Sequence, residues 1–187
     1  MKLVVIACNT LTVLGVDTLK GSHAFEIVGM SKGAQLVLAA SSRKKIGVFA
    51  TEFTINSGAH KAAILAADAS ADVYPQSCPK FVPLIEGEQF DSAEVRAAVA
   101  EYAAPLKAAG IDTLILSCTH YPFIQKEIER EFGSEVTVID PADATAQDTK
   151  TVLAAEGLLR SEGAGTLEVC FTADVERGAR IAGRVLP

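Results

Sequence analysis

The sequence predicts an α/β protein whose sheets are mainly parallel and flanked by helices. Short runs rich in Val, Ile and Leu alternate with helical patterns along the chain. The runs are apolar throughout, which is typical of parallel strands buried on both faces. Predicted strands cover residues 3–8, 25–29, 45–51, 72–74, 112–118, 136–140 and 168–171. Predicted helices cover residues 10–20, 34–41, 57–69, 92–109, 143–159 and 175–184, and another begins at Pro122.

Local signals support the individual elements. Asn9 or Thr10 can cap the first helix because a side-chain oxygen there accepts from a free helical N–H. The strand at residues 112–118 is the most strongly indicated, since Gly110 precedes it and Pro122 follows. Proline suits the first turn of a helix, where its missing N–H costs nothing. No low-complexity linker or short repeat interrupts this order.

Composition excludes several functions. The 187 residues carry a net charge of −6 and a pI near 5.1, whereas a nucleic-acid surface needs a basic stripe. The four cysteines, at positions 8, 78, 118 and 170, form no C-x-x-C pair, so we expect neither a disulfide framework nor a metal site. The apolar run before Cys8 is too short for a secretory signal, and no stretch suits a membrane span. We therefore expect a soluble cytoplasmic protein without nucleic-acid or membrane partners.

Two cysteines occupy matching positions at the ends of predicted strands. The stretches VVIACNT, residues 4–10, and LILSCTHYP, residues 114–122, both place a cysteine between an apolar run and hydrogen-bonding side chains. Ligands bind at this edge of parallel sheets, where helix N-termini make thiolates more available. One cysteine with a histidine favours acyl transfer. Two thiols favour either disulfide chemistry or proton transfer on opposite faces of one carbon.

Four motifs resemble those of the glutamate racemases, within the aspartate/glutamate racemase superfamily. They are ACNT at residues 7–10, IGVFATEFTINSGAHKAAI at 46–64, CPKFVPLIEGE at 78–88 and SCTHYP at 117–122. They occur in the family's order, and the resemblance extends over nearly the whole chain. It implies a cofactor-independent racemase that interconverts L- and D-glutamate. Such an enzyme supplies D-glutamate for peptidoglycan, and so serves cell-wall biogenesis and cell shape.

The resemblance also assigns roles to individual residues. Cys8 and Cys118 match the two acid/base cysteines, with Cys8 the base for D-glutamate and Cys118 the base for L-glutamate. His120 matches a residue that binds substrate and helps its cysteine exchange protons. The other positions matching substrate-binding or cleft-facing residues are Asn9, Thr10, Thr51, Thr54, Ser57, Glu86 and Thr119. Cys78 and Cys170 are interpreted as structural.

The chain also departs from the family. The family places an Asp-Ser-Gly-x-Gly-Gly loop before its first cysteine motif, whereas this chain begins at the strand that carries the motif. We therefore expect two lobes around a cleft: an incomplete one, residues 1–29 plus 141–187, and a second, residues 30–140. The exposed edge of the incomplete lobe predicts a homodimer or other self-association. Phe53 also stands where the family has glycine.

Two alternatives remain open. One is a racemase or decarboxylase of the same superfamily that acts on another substrate. The other is a non-catalytic homologue that acts as a binding module, which the missing loop favours.

Overall fold

A computed structural model describes residues 1–186 and contains two parallel sheets. The strands are β1 (Leu3–Ile6), β2 (Glu26–Gly29), β3 (Lys45–Ala50), β4 (Asp72–Ser77), β5 (Thr113–Ser117) and β6 (Thr137–Ile139). The α-helices are α1 (Asn9–Leu19), α2 (Ala34–Ala40), α3 (Glu52–Asn56), α4 (Ala59–Ala67), α5 (Phe81–Glu86), α6 (Ala93–Ala109), α7 (Gln125–Phe132), α8 (Ala142–Ala155) and α9 (Val175–Ala182). One sheet has the order β1-β2 and the other β4-β3-β5-β6, and every pair is parallel. The predicted α/β class is confirmed.

The four-stranded sheet holds the main core. Every residue of β5 is buried, because helices cover both faces of this central strand. Successive side chains of a strand point to opposite faces. Leu114 and Leu116 accordingly join the cluster under α5, α6 and α7, and Ile115 joins the cluster under α2 and α4. Full burial on both sides explains why β5 is an unbroken apolar run rather than an alternating one.

The two-stranded sheet is much less covered. Within residues 1–186, β1 pairs only with β2, in register from Leu3 opposite Glu26 to Ile6 opposite Gly29. Val5 of β1 is 39% exposed, and Leu14 of the adjacent α1 is 62% exposed. Helix α8 contributes packing on the other side of β2. Its Thr145 side chain accepts a hydrogen bond from the Ser31 N–H at 2.9 Å.

One predicted strand is wrong, and one predicted helix is shorter than expected. The strand predicted at residues 168–171 is absent from the described chain, because this segment has no partner strand, and Val169 is 46% exposed there. The helix predicted at residues 57–69 is present as α4, and a separate helix that was not predicted, α3, precedes it. They are separated at Gly58, which has a φ of 67°. That left-handed conformation favours glycine and stops the first helix.

Other elements differ in length, and two helices were missed. Strand β4 extends to Ser77, beyond the predicted end at residue 74 and through Pro75. Helices α3 and α5 were not predicted at all. In the described part of the chain, no helix combines the length and apolar character needed to cross a bilayer. The division into lobes, residues 1–29 plus 141–187 and residues 30–140, stays a prediction.

Candidate active site

Three polar positions lie within two residues of the carboxyl ends of strands. Cys8 follows β1 and is the N-cap residue of α1, Thr51 follows β3 and is the N-cap residue of α3, and Cys118 follows β5. The first N–H groups of a helix have no partner inside the helix and point beyond its N-terminus. The Cys8 thiol therefore lies beside free backbone donors and the positive end of the helix dipole, where an anionic group is favoured.

Three threonine hydroxyls connect the two sheets at this edge. Thr10 Oγ1 lies 2.8 Å from Thr51 Oγ1 and 3.3 Å from Thr54 Oγ1. Thr51 Oγ1 in turn donates to Thr54 Oγ1 at 3.0 Å. Because Thr10 belongs to α1 while the other two belong to the loop and helix after β3, this triad brings the carboxyl ends of β1 and β3 together.

Asn9 provides an unpaired donor beside Cys8. The side chain is only 3% exposed, and its Nδ2 has no hydrogen-bond partner among the described residues. A buried amide without a partner is costly. A ligand oxygen at this point would satisfy it, so Asn9 is suited to hold a carboxylate.

The second thiol is more deeply placed. Cys118 is 8% exposed, and burial raises the pKa of its thiol to about 11. The backbone N–H groups of His120 and Tyr121 lower this pKa, whereas the charge on Cys8 raises it further. Ser117 pairs with Ala50, so Cys118 and Thr51 follow adjacent strands, and Thr51 contacts Thr10 two residues after Cys8. The strand ends therefore place Cys8 and Cys118 in one neighbourhood.

A histidine links Cys118 to a carboxylate. His120 Nδ1 lies 3.9 Å from Cys118 Sγ, and His120 Nε2 lies 2.8 Å from Glu86 Oε1. When Nε2–H donates to Glu86, neutral imidazole leaves the Nδ1 lone pair facing the thiol. Cys118, His120 and Glu86 thus form a path along which a proton can move between the thiol and the imidazole. We call these three residues the relay.

The remaining predicted residues lie elsewhere at the same edge. Thr119 lines a cavity of about 430 Å³ with Val5, Ala7 and Met30. Ser57 is exposed, and its hydroxyl donates to the Thr54 carbonyl at 2.7 Å, so it closes the turn between α3 and α4. Their binding roles stay predictions. No group of three possible metal ligands occurs within residues 1–186.

Sequence reasoning missed the residues beneath Cys118. Tyr121 is fully buried, and its hydroxyl donates to the Cys78 carbonyl at 3.3 Å. Burial raises the pKa of the Cys78 thiol, so Cys78 lies in the core under the site. The pairing of Glu86 with His120 was also not predicted, although both residues were singled out. No sequence pattern connects positions on α5 and on the loop after β5.

Comparisons with known proteins agree with these motifs. A family model described as Asp/Glu/hydantoin racemase matches residues 1–149. A curated glutamate racemase of Lysinibacillus sphaericus (strain C3-41) is 40% identical over 160 residues, which make up 85% of this chain and 60% of that protein.

Solved structures agree as well. Glutamate racemases of Bacillus anthracis and of Francisella tularensis, the latter in complex with D-glutamate, match with TM-scores of 0.79 and 0.78 and identities of 33% and 30%. They cover 86% and 87% of this chain, which spans only 61% of each solved chain. The resemblance stated from the motifs is confirmed, and the chain belongs to the Asp/Glu/hydantoin racemase family.

Proposed function

We propose that this protein is a glutamate racemase that uses two thiols as acid and base and needs no cofactor. The observation that carries the proposal is the convergence of Cys8 and Cys118, from separate strands, on the sheet edge that Thr10 and Thr51 connect. Racemisation needs one group on each face of the substrate carbon, and the reverse reaction exchanges their roles. Two residues of the same type suit this symmetry.

The proposed reaction balances without an oxidant or reductant. The thiolate of one cysteine takes the Cα proton as the Cα–H electron pair remains on carbon, and the thiol of the other cysteine then delivers its proton to the opposite face. Cys118 is the base for L-glutamate and Cys8 the base for D-glutamate. The relay supports Cys118, because His120 can take the proton from a thiol that burial would otherwise keep protonated.

Local donors would bind the dianionic substrate in this acidic protein. The unpaired Nδ2 of Asn9 and the first N–H groups of α1 suit one carboxylate. The hydroxyls of Thr10, Thr51 and Thr54 and the side chain of Thr119 are placed to contact the remaining polar groups. Ser57 is proposed to act only by shaping the loop that carries Thr54.

The relatives favour glutamate over other substrates of the family. The matched proteins are named glutamate racemases, and the Francisella tularensis structure holds D-glutamate. The proposed product, D-glutamate, would supply peptidoglycan synthesis in the cytoplasm, where both thiols stay reduced. An aspartate racemase of Picrophilus torridus also shares the fold, at a TM-score of 0.52, so another substrate of the superfamily is the alternative to test.

A chiral assay tests the proposal. Purified protein should convert either enantiomer of glutamate into the racemate, measured by chiral chromatography, and aspartate should react much more slowly. Cys8→Ala and Cys118→Ala should each abolish conversion, whereas the control Cys170→Ala, at an exposed thiol, should retain it. Absence of conversion in the unmutated chain would contradict the proposal. Glutamate binding measured by calorimetry would then support the binding-module alternative.

The exposed sheet edge supports a further proposal about assembly. Val5, Leu11 and Leu14 are 39%, 53% and 62% exposed, and β1 pairs only with β2 in residues 1–186. An unpaired strand beside apolar side chains promotes association. The protein should therefore form dimers in light scattering, and Val5→Lys should yield monomers. A wild-type monomer at high concentration would contradict this.

A further inference from the structure

Helix α9 and the residues after it contact the segment that follows Glu86, the carboxylate of the relay. Arg180 donates from Nε at 3.1 Å and from Nη2 at 2.7 Å to Glu88 Oε1. The Arg184 guanidinium lies 4.1 Å from the ring centroid of Phe90. These partners are close in sequence to Glu86, the last residue of α5 and the hydrogen-bond partner of His120. A C-terminal helix thus contacts the segment that ends in the relay.

The same helix forms a wall opposite Glu86. A cavity of about 310 Å³ is lined by Glu86 on α5 and by Arg177 and Ile181 on α9, with Phe171 before the helix. Without α9, the Glu86 side of this cavity would be open to water. Glu86 and His120 are already 43% and 34% exposed at their side chains. Contacts between exposed charged groups are weak unless the surroundings fix them.

Backbone conformation shows that both segments are constrained. Glu88 has a φ of 59° and Asp174, the N-cap residue of α9, has a φ of 46°. Non-glycine residues adopt such angles only where the surrounding structure imposes them. Arg180 also holds the pKa of Glu88 below its usual value, as do the charges of Arg184 and Arg177. Arg180 is thus the arginine that contacts Glu88 directly, while Arg177 pairs with Asp174 and Arg184 lies over Phe90.

We infer that α9 is a strap whose Arg180–Glu88 contact fixes the end of α5, so that Glu86 stays directed at His120. Arg180 and Glu88 are positioning residues that act on Cys118 only through Glu86 and His120. The inference deepens the proposed racemase function and rests on it for its catalytic consequence. The structural consequence, a fixed His120 tautomer with the proton on Nε2, does not depend on turnover.

The test uses the full chain with ¹⁵N-labelled histidine. Imidazole ¹⁵N shifts report which ring nitrogen carries the proton, and His120→Gln assigns the signal by removing it. Wild-type protein should show a single Nε2–H tautomer at His120. Arg180→Gln and Glu88→Gln should each give averaged tautomers. The double variant should show no more averaging than either single variant, because both substitutions remove the same contact. The control Lys107→Gln breaks a similarly exposed ion pair, with Glu131 at 2.9 Å, and should leave the signal unchanged.

Kinetics provide the second measurement. If the strap positions the relay, both variants should slow deuterium exchange at Cα of L-glutamate about tenfold, with KM and the exchange of D-glutamate little changed. An unchanged His120 signal in Arg180→Gln and Glu88→Gln would overturn the strap, whether or not the chain racemises glutamate. A single Nε2–H tautomer in a wild-type chain without turnover, averaged in both variants, would support the strap and contradict the proposed function instead.

Discussion

The two sheets of this protein place their cysteines in contrasting surroundings. In the four-stranded sheet, β5 is buried on both faces, and the Cys118 that follows it is 8% exposed. In the two-stranded sheet, β1 is only partly covered and the Cys8 after it is half-buried. Burial raises the pKa of Cys118, and a histidine lies beside that thiol. The deeper thiol therefore has a neighbouring group that can exchange its proton.

The contrast shows how a less stable region can still hold a precise site. Two strands alone are marginally stable in water. Here the carboxyl end of β1 is tied to the larger sheet by the hydroxyls of Thr10, Thr51 and Thr54. Helix α8 contributes the contact between Thr145 and Ser31. Hydrogen bonds at the sheet edge, rather than burial in a deep core, thus fix the position of the carboxyl end of β1.

Hydrogen exchange should show the largest difference between the two regions. Amides of β5 should exchange only on global unfolding, whereas those of β1 open locally at a free energy roughly 5 kcal/mol lower. Native-state exchange followed by NMR measures both strands in one sample. Equal protection in β1 and β5 would contradict the difference in stability.

Core truncations should differ in the same direction. Leu114→Ala removes a fully buried side chain of β5 and should reduce the free energy of unfolding by about 2–5 kcal/mol. The matched variant Val5→Ala, at a partly exposed position on β1, should cost about 0.5 kcal/mol. Urea denaturation monitored by circular dichroism compares them. A larger cost for Val5→Ala would mean that β1 is covered in solution.

The buried His60 lies on α4, and its titration reports whether the protein interior around this helix excludes water. It is 3% exposed with no partner for either ring nitrogen among the described residues, and burial, followed by the charge of Lys32, lowers its pKa to about 4. The unfolded chain then binds a proton between about pH 6.5 and pH 4 that the folded chain does not. Stability should fall by roughly 3 kcal/mol as pH drops through this window.

The variant His60→Phe should remove that pH dependence. The control His23→Phe replaces an exposed imidazole and should retain the wild-type profile. Chemical denaturation at several pH values between these limits measures the slope. If the free energy of unfolding of His60→Phe still falls steeply with decreasing pH, groups other than His60 cause the pH dependence.

A smaller effect is expected at Asp112, before β5. Burial raises the pKa of this carboxyl, but hydrogen bonds from Ser41 at 2.5 Å, the Arg43 N–H at 2.6 Å and Ser42 at 3.1 Å outweigh burial and lower it. This stabilisation is present above the unfolded pKa of about 3.9 and is lost as pH falls through the lowered folded value.

Asp112→Asn should therefore cost about 1–2 kcal/mol at neutral pH and less in acid. Asp72→Asn, at an exposed position, is the control and should change little. Thermal unfolding at pH 7 and at pH 3 compares the variants. An equal cost at both pH values would mean that the charge of Asp112 is not involved.

Much of the fold could be predicted from the sequence because burial imposes a clear pattern. The run at residues 112–118 is apolar because β5 is buried on both faces, and its prediction was accurate. The strand at residues 168–171 was wrong because a strand also needs a partner, which composition does not reveal. Helix α5 was missed because its 6 residues are too few to show a helical period.

The site was predictable only in part. The two cysteines could be found because each follows an apolar run, a local feature of the chain. The contacts of Glu86 with His120 and of Glu88 with Arg180 join distant positions, and no local pattern encodes them. Packing of α5 and α9 creates these contacts, so only the folded chain reveals them.

Deuterium exchange tests most directly whether each region supplies one thiol to opposite faces of the substrate carbon. Glutamate of each enantiomer is incubated in deuterated water, and mass spectrometry follows the α-proton. Serine is far less acidic than a thiol, so Cys8→Ser should slow proton removal from D-glutamate, and Cys118→Ser from L-glutamate, each by a factor on the order of 10² or more. This crossed pattern is the predicted result. Equal losses for both enantiomers in both variants would contradict the account.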